Sequence, residues 1–217
     1  MALGALLCGV LLGGLALTTR DPRPAGPVVR LPEMPTLPPT GPRGAPNIDA
    51  RATDPKPMTL ARTFPERTVV SFGHRYRILR TDLATDCGAT AAGRGPAVLR
   101  GADCTQVLRA TAVDAAGRSV VTVGIANLRD AAAAKRVDAA MDNSPTAAFR
   151  PMRVPGTPAA TFRPAVHRTV ASGHYVVFAV GGAADGSGRA DIVLRRAVHD
   201  LTFVVVDHVL ARLFGGD

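Results

Sequence analysis

The chain has 217 residues, a net charge of +9 and a pI near 10.8. Its basic charge is almost all arginine, with Lys56 and Lys135 the only lysines, and tryptophan is absent. The arginines are dispersed and never form a run interleaved with aromatics, which excludes a dedicated nucleic-acid surface. The length suits one domain with appendages.

Residues 2–17 carry no charge. A full membrane span needs about twenty apolar residues, with a lower limit near seventeen, and Thr18 and Thr19 bring this segment to length. A signal peptide needs a basic lead-in and a small-x-small cleavage site. Neither is present here, so residues 1–19 read as a retained anchor that contacts membrane through residues 2–19. Arg20, Arg23 and Arg30 follow it, and the positive-inside rule would hold them in the cytoplasm. The cysteine pair described below argues for the opposite orientation.

Twelve of the 18 prolines fall between Pro22 and Pro65. Proline fixes φ and removes donors, so residues 20–67 read as a disordered, extended stalk of polyproline character. At roughly 3.1 Å per residue, such a spacer holds a domain well away from a bilayer.

A folded domain is expected over residues 68–217. "TVVSFGHRYRIL" alternates and reads as one half-buried strand, with Val70, Phe72, His74, Tyr76 and Ile78 on the apolar face. Residues 80–92 are alanine-rich and read as a short helix carrying Cys87. "CTQVLRATAVD" and "RSVVTVGIAN" read as two strands of a hairpin turning at Gly117. "LRDAAAAKRVDAAMD" reads as a helix, since alanine is the best helix former. Residues 149–154 suggest a short edge strand. "VHRTVASGHYVVFAVGG" reads as a second hairpin with its turn at Ala171, Ser172 and Gly173. Residues 191–214 read as a closing helix with Val198, Leu201, Val205, His208, Val209 and Leu213 along one stripe. The expected fold is α+β: an antiparallel sheet of hairpins with about three helices packed on one face, preceded by a hydrophobic helix and a Pro-rich linker.

Cys87 and Cys104 are separated by sixteen loop-like residues. An even pair in an exported domain reads as a disulfide, with paired free thiols as the competing reading. The remaining candidates for chemistry are sparse. His167 and His174 flank a turn, and His199 and His208 are half a turn out of phase on a helix. "DGSG" at residues 185–188, with Asp191, lacks the alternating acids of a calcium loop. Ser187 does not sit in a G-x-S-x-G elbow. Asp82 and Asp86 are four apart on the expected helix. No nucleophile, base and orienter assemble, so no catalytic residue, metal or cofactor is expected. Arg75, Arg77 and Arg80 beside Tyr76 form a candidate anion-contacting surface for headgroups or wall polymers.

"ALLCGVLLGGLAL", the proline stalk and "CTQVLRATAVDAAGRSVVTVGIANLRDAAAA" together resemble uncharacterised membrane-anchored proteins of high-GC actinobacteria. The resemblance implies a single-pass envelope protein with a small two-cysteine α+β ectodomain, and it carries no activity. The expected function is therefore an extracytoplasmic binding or sensing module whose partner is a cell-wall or envelope component, not nucleic acid. An envelope hydrolase is the runner-up, and a cytoplasm-facing tethered domain is a third reading.

Overall fold

A computed structural model of the chain describes residues 47–214. The expected anchor and most of the expected stalk lie outside these residues. Among the described residues, no helix is long and apolar enough to cross a membrane.

The centre is a six-stranded, wholly antiparallel sheet in the order β1–β2–β4–β5–β8–β7. Its strands are β1 (Thr68–Ser71), β2 (His74–Ala84), β4 (Gln106–Asp114), β5 (Ser119–Asn127), β7 (Val166–Ser172) and β8 (Tyr175–Ala183). A small ribbon pairs β3 (Ala91–Gly93) with β6 (Ala147–Phe149). The helices are α1 (Leu60–Thr63), α2 (Gly95–Gly101), α3 (Ala131–Met141) and α4 (Ile192–Ala211). Aspartates cap the two longest: Asp130 accepts from the amide of Ala133, and Asp191 from that of Leu194. Each satisfies a donor that the first turn leaves open.

The architecture is α+β, but the helices do not share one face. One side of the sheet packs Leu108, Val123, Ile125 and Val177 against Leu194, Val198, Leu201, Val205 and Val209 of α4. The other side packs Val107, Val176, Phe178 and Val180 against Leu99 of α2, Val137 and Met141 of α3, and Phe149 of β6. Phe149 stacks on Phe178 with ring centroids 3.8 Å apart. The cause is visible in β5 and β8, where nearly every position is buried. A strand buried at consecutive positions needs cover on both faces. Fully burying each Leu, Val or Ile contributes roughly 1.5–3 kcal/mol, so neither layer is dispensable.

Four local expectations are corrected. The stretch read as one strand over residues 68–79 is a hairpin, because Phe72 and Gly73 both take positive φ (48° and 81°) and turn the chain. Two positive φ values in a two-residue loop match the twist of the flanking strands. Residues 80–84 continue β2 instead of opening a helix, and residues 87–90 form a single 3-10 turn. The stretch between the cysteines contains α2, started by Pro96, where a missing amide costs nothing. The expected edge strand at residues 149–154 lies slightly earlier, in β6.

The described part of the expected stalk, residues 47–67, is also folded. Ile48, Met58 and Phe64 are buried in the α4-side core. The carbonyl of Ile48 accepts from the amide and the Nδ1–H of His174, at 2.7 and 2.8 Å. Ala50 bridges Asp130, and Gln106 Nε2 donates to the carbonyl of Met58 at 2.9 Å. Asp54 is clamped by Arg212, whose Nε lies 2.9 Å from Oδ2 and whose Nη2 reaches Oδ1, and by the hydroxyl of Tyr175 at 2.8 Å.

Candidate functional site

The β1–β2 hairpin leans on the outer side of α4, and one carboxylate holds the junction together. Asp200 of α4 is 2% exposed. Its Oδ2 accepts from the hydroxyl of Tyr76 at 2.6 Å and from His74 Nδ1 at 2.9 Å. Its main-chain carbonyl accepts from the hydroxyl of Ser71 at 3.3 Å, and His199 Nδ1 stands 3.4 Å from Oδ1. Burial, then the hydrogen bond to Asp200, push the Tyr76 phenol far above its ordinary value, so it stays a proton donor.

Those anchors present the hairpin tip outward. Phe72 is 61% exposed and Val70 62%. The Phe72 ring lies 5.7 Å from the His199 ring and 5.0 Å from that of Phe203, itself 49% exposed. A phenylalanine in the left-handed region is uncommon, because its Cβ crowds the backbone there. Such conformations persist where surroundings over-determine them, and they concentrate at functional sites. Ile192, Leu210 and Phe214 extend the same apolar surface along α4. Among the described residues, six of the seven large exposed apolar side chains belong to the tip or to α4 and its closing turn, with Leu83 the exception. Large apolar patches of this kind mark interaction surfaces.

A cleft of about 390 Å³ opens between Asp142 and Asn143 after α3, Arg168 and Thr169 of β7, and Arg195 and His199 of α4. Its charges are mixed. Asp142 Oδ1 accepts from the amide of Thr169 at 2.9 Å, which caps an outward-facing amide of the edge strand.

The structure distributes the sequence candidates differently from the expectation. Arg75, Arg77 and Arg80 are exposed, and an irregularity between Ile78 and Arg80 keeps Arg77 and Arg80 on one face, opposite Val113 and Thr111. Tyr76 points the other way, into the core against Asp200, so it is not part of that surface. Cys87 and Cys104 come together as a disulfide-capable pair with Cα atoms 6.2 Å apart. They join the 3-10 turn to the chain entering β4.

His74 and His199 meet at Asp200, but the other three histidines lie apart. His174 is buried in the second hairpin's turn on Ile48, His167 pairs across from Val180, and His208 Nδ1 donates to the carbonyl of Val204 at 2.8 Å. Asp82 is a strand residue whose carboxylate pairs with Arg109 at 2.7 Å, and Asp86 caps the 3-10 turn. Asp185 accepts from the amide of Ser187 in a tight loop. Among the described residues, no three metal-binding side chains gather at one point.

Sequence reading missed Asp200, which ties together Ser71, His74, Tyr76 and His199. Helical spacing sets Asp200 off the apolar stripe, among the polar residues of the helix, so its burial leaves no signal in the sequence. His74, Asp200 and Ser71 do meet, but not as a nucleophilic relay. His74 Nε2 accepts from Arg196 Nη1 at 3.4 Å, and the Ser71 hydroxyl is turned to a carbonyl. A general base must reach the proton that it removes. This cluster holds a hairpin in place.

Comparison with family models, with curated proteins and with solved structures gives no match to this chain.

Proposed function

We propose that the chain is a membrane-anchored, extracytoplasmic binding module that meets its partner with the face formed by the β1–β2 tip and the outer side of α4. The observation that carries this reading is Phe72: an exposed aromatic held at positive φ, packed on His199 and Phe203, on a hairpin fastened by Asp200. A rigid apolar projection loses little side-chain freedom on contact, which favours recognition over chemistry. The disulfide-capable pair supports an oxidising compartment. The uncharged segment at residues 2–17 supports an anchor, and the prolines after it support a spacer. Arg75, Arg77 and Arg80 are a second, anion-contacting surface in this proposal.

The test is a photo-crosslinking phenylalanine analogue placed at Phe72 of the full chain in intact cells, with Lys135 on the exposed side of α3 as control. Discrete adducts from position 72 and none from 135 are expected. No adduct at 72, or equal labelling at both, overturns the assignment of this face.

A further inference from the structure

The exposed side of α4 is self-complementary. Its outward residues are Ile192, Arg196, His199, Phe203, Asp207 and Leu210, continued by Phe214 in the closing turn. At 3.6 residues per turn they fall on one stripe about 33 Å long. Their spacing is 4, 3, 4 on either side of Phe203, so it reads the same in both directions. We infer that this stripe is the interface of a two-fold homodimer, in which α4 lies antiparallel on α4 of a second copy with the axis at Phe203. The inference rests on the reading of this face as a contact surface and names its occupant.

The chemistry selects the antiparallel arrangement. With the axis at Phe203, the two Phe203 rings meet at the centre. His199 comes opposite the second copy's Asp207, an imidazole against a carboxylate. Arg196 comes opposite Leu210, where its aliphatic stem covers apolar surface while the guanidinium reaches water. Ile192 comes opposite Phe214, apolar against apolar. A parallel arrangement sets Arg196 on Arg196 and Asp207 on Asp207, and like charges face to face work against it. A shift of one position along the stripe removes the Phe203–Phe203 contact at the axis. Phe72, its ring 5.0 Å from that of Phe203, widens the apolar centre beyond what one helix offers. An isologous interface demands this property, a single patch that complements itself. A bilayer surface fits the stripe less well, because Asp207 stands in its apolar half.

The test is cysteine crosslinking of the full chain in its membrane, in a Cys8→Ser background. Phe203→Cys sits on the axis and is expected to give a disulfide-linked dimer under mild oxidation. Copies carrying His199→Cys are expected to crosslink to copies carrying Asp207→Cys. They are not expected to crosslink to one another, because two His199 positions lie about 12 Å apart along the pair. Crosslinking of His199→Cys to itself as readily as to Asp207→Cys overturns the antiparallel register. Absence of the Phe203→Cys dimer, with photo-adducts to a different protein from position 72, overturns the second copy as occupant while keeping the contact face. Absence of both overturns the face as well. As an independent readout, Phe203→Glu is expected to weaken self-association of the detergent-solubilised chain at least tenfold by sedimentation. An unchanged mass distribution, or a wild-type chain that sediments as a monomer throughout, overturns the dimer.

Discussion

Replacing Asp54 by alanine tests whether residues 47–67 belong to the folding unit. The Asp54 and Arg212 side chains are 10% and 8% exposed. The carboxylate takes two donors from Arg212 and one from Tyr175, which is fully buried. Asp54→Ala takes the Asp54 carboxylate from a buried guanidinium that keeps its bond to the Lys56 carbonyl, and it takes the acceptor from a buried phenol. Removing one partner of a buried pair costs about 3–5 kcal/mol. At roughly 2–4 °C per kcal/mol for a domain of this size, Tm falls by about 6–20 °C. Urea unfolding of the full chain, followed by circular dichroism, measures it. The double variant Asp54→Leu, Arg212→Met removes both charges together and is expected to recover at least half of the loss, since apolar replacement of a buried pair is often neutral. Burial raises the Asp54 pKa, but the hydrogen bonds from Arg212 and Tyr175 and the Arg212 charge outweigh it, so the folded value is lowered. Its contribution is therefore present above the ordinary carboxylate range and is lost as pH falls through the lowered folded value. The wild-type advantage over Asp54→Ala shrinks in acid accordingly. A loss below about 1 kcal/mol at neutral pH, the value of an exposed pair, would refute the reasoning.

Four further outcomes are expected. Burial lowers the pKa of both His167 and His174, so between the unfolded value near 6.5 and the lowered folded values the unfolded chain binds protons that the folded chain refuses. Stability then falls as pH drops below about 6.5, by up to about 1.4 kcal/mol per pH unit for each proton; urea midpoints that stay flat from pH 7.5 to 5 contradict this. Closing the loop between Cys87 and Cys104, seventeen positions apart, stabilises by about 3 kcal/mol, so Cys87→Ser with Cys104→Ser loses about that much. In intact cells, a membrane-impermeant maleimide reaches these two cysteines only after reduction, and labelling that needs lysis but no reductant refutes the extracytoplasmic orientation. At Gly124 an added Cβ runs into the Leu108 carbonyl and comes within 2.5 Å of Phe178 Cζ. Gly124→Ala is expected to cost at least 1–3 kcal/mol through overpacking, and a thermal melt within about 1 °C of wild type would mean that β4 and β5 are not so closely registered.

The legible parts of the fold were those with a period and a punctuated end. β4, β5, α3, the β7–β8 hairpin and α4 all carry one, and all stand near their expected places. The first hairpin was hidden by Phe72, because a turn position with positive φ normally announces itself as asparagine or glycine. The turn also changes the inward set to Val69, Ser71, His74, Tyr76 and Ile78, since opposed residues share a face. Residues 80–84 read as helix because alanine and arginine favour it locally, and pairing with β4 overrides that preference. Cover on both faces was implied by the unbroken apolar runs of β5 and β8, which alternation alone does not reveal. Residues 47–67 attach through isolated contacts at Ile48, Ala50, Asp54, Met58 and Phe64, with no period to detect. Of the candidate site, the cysteine pair and the three arginines were visible from residue type. Asp200 and Phe203 were not, because their roles depend on a hairpin 130 residues upstream.

The way residues 47–58 are fastened decides how the molecule answers tension. Ile48 hangs from the His174 turn, Ala50 from the start of α3, and Asp54 from the closing turn after α4. None of these ties is a strand hydrogen-bonded along the length of the central sheet. Force applied to the chain at residue 47 therefore loads a few point attachments in succession, and each lets go before the next is strained. Once they are gone, residues 47–67 pay out as roughly 70 Å of extended chain, while the sheet, α4 and the face that it presents keep their shape. In the proposed tethered molecule the segment would act as a fuse, lengthening under load while the domain stays folded.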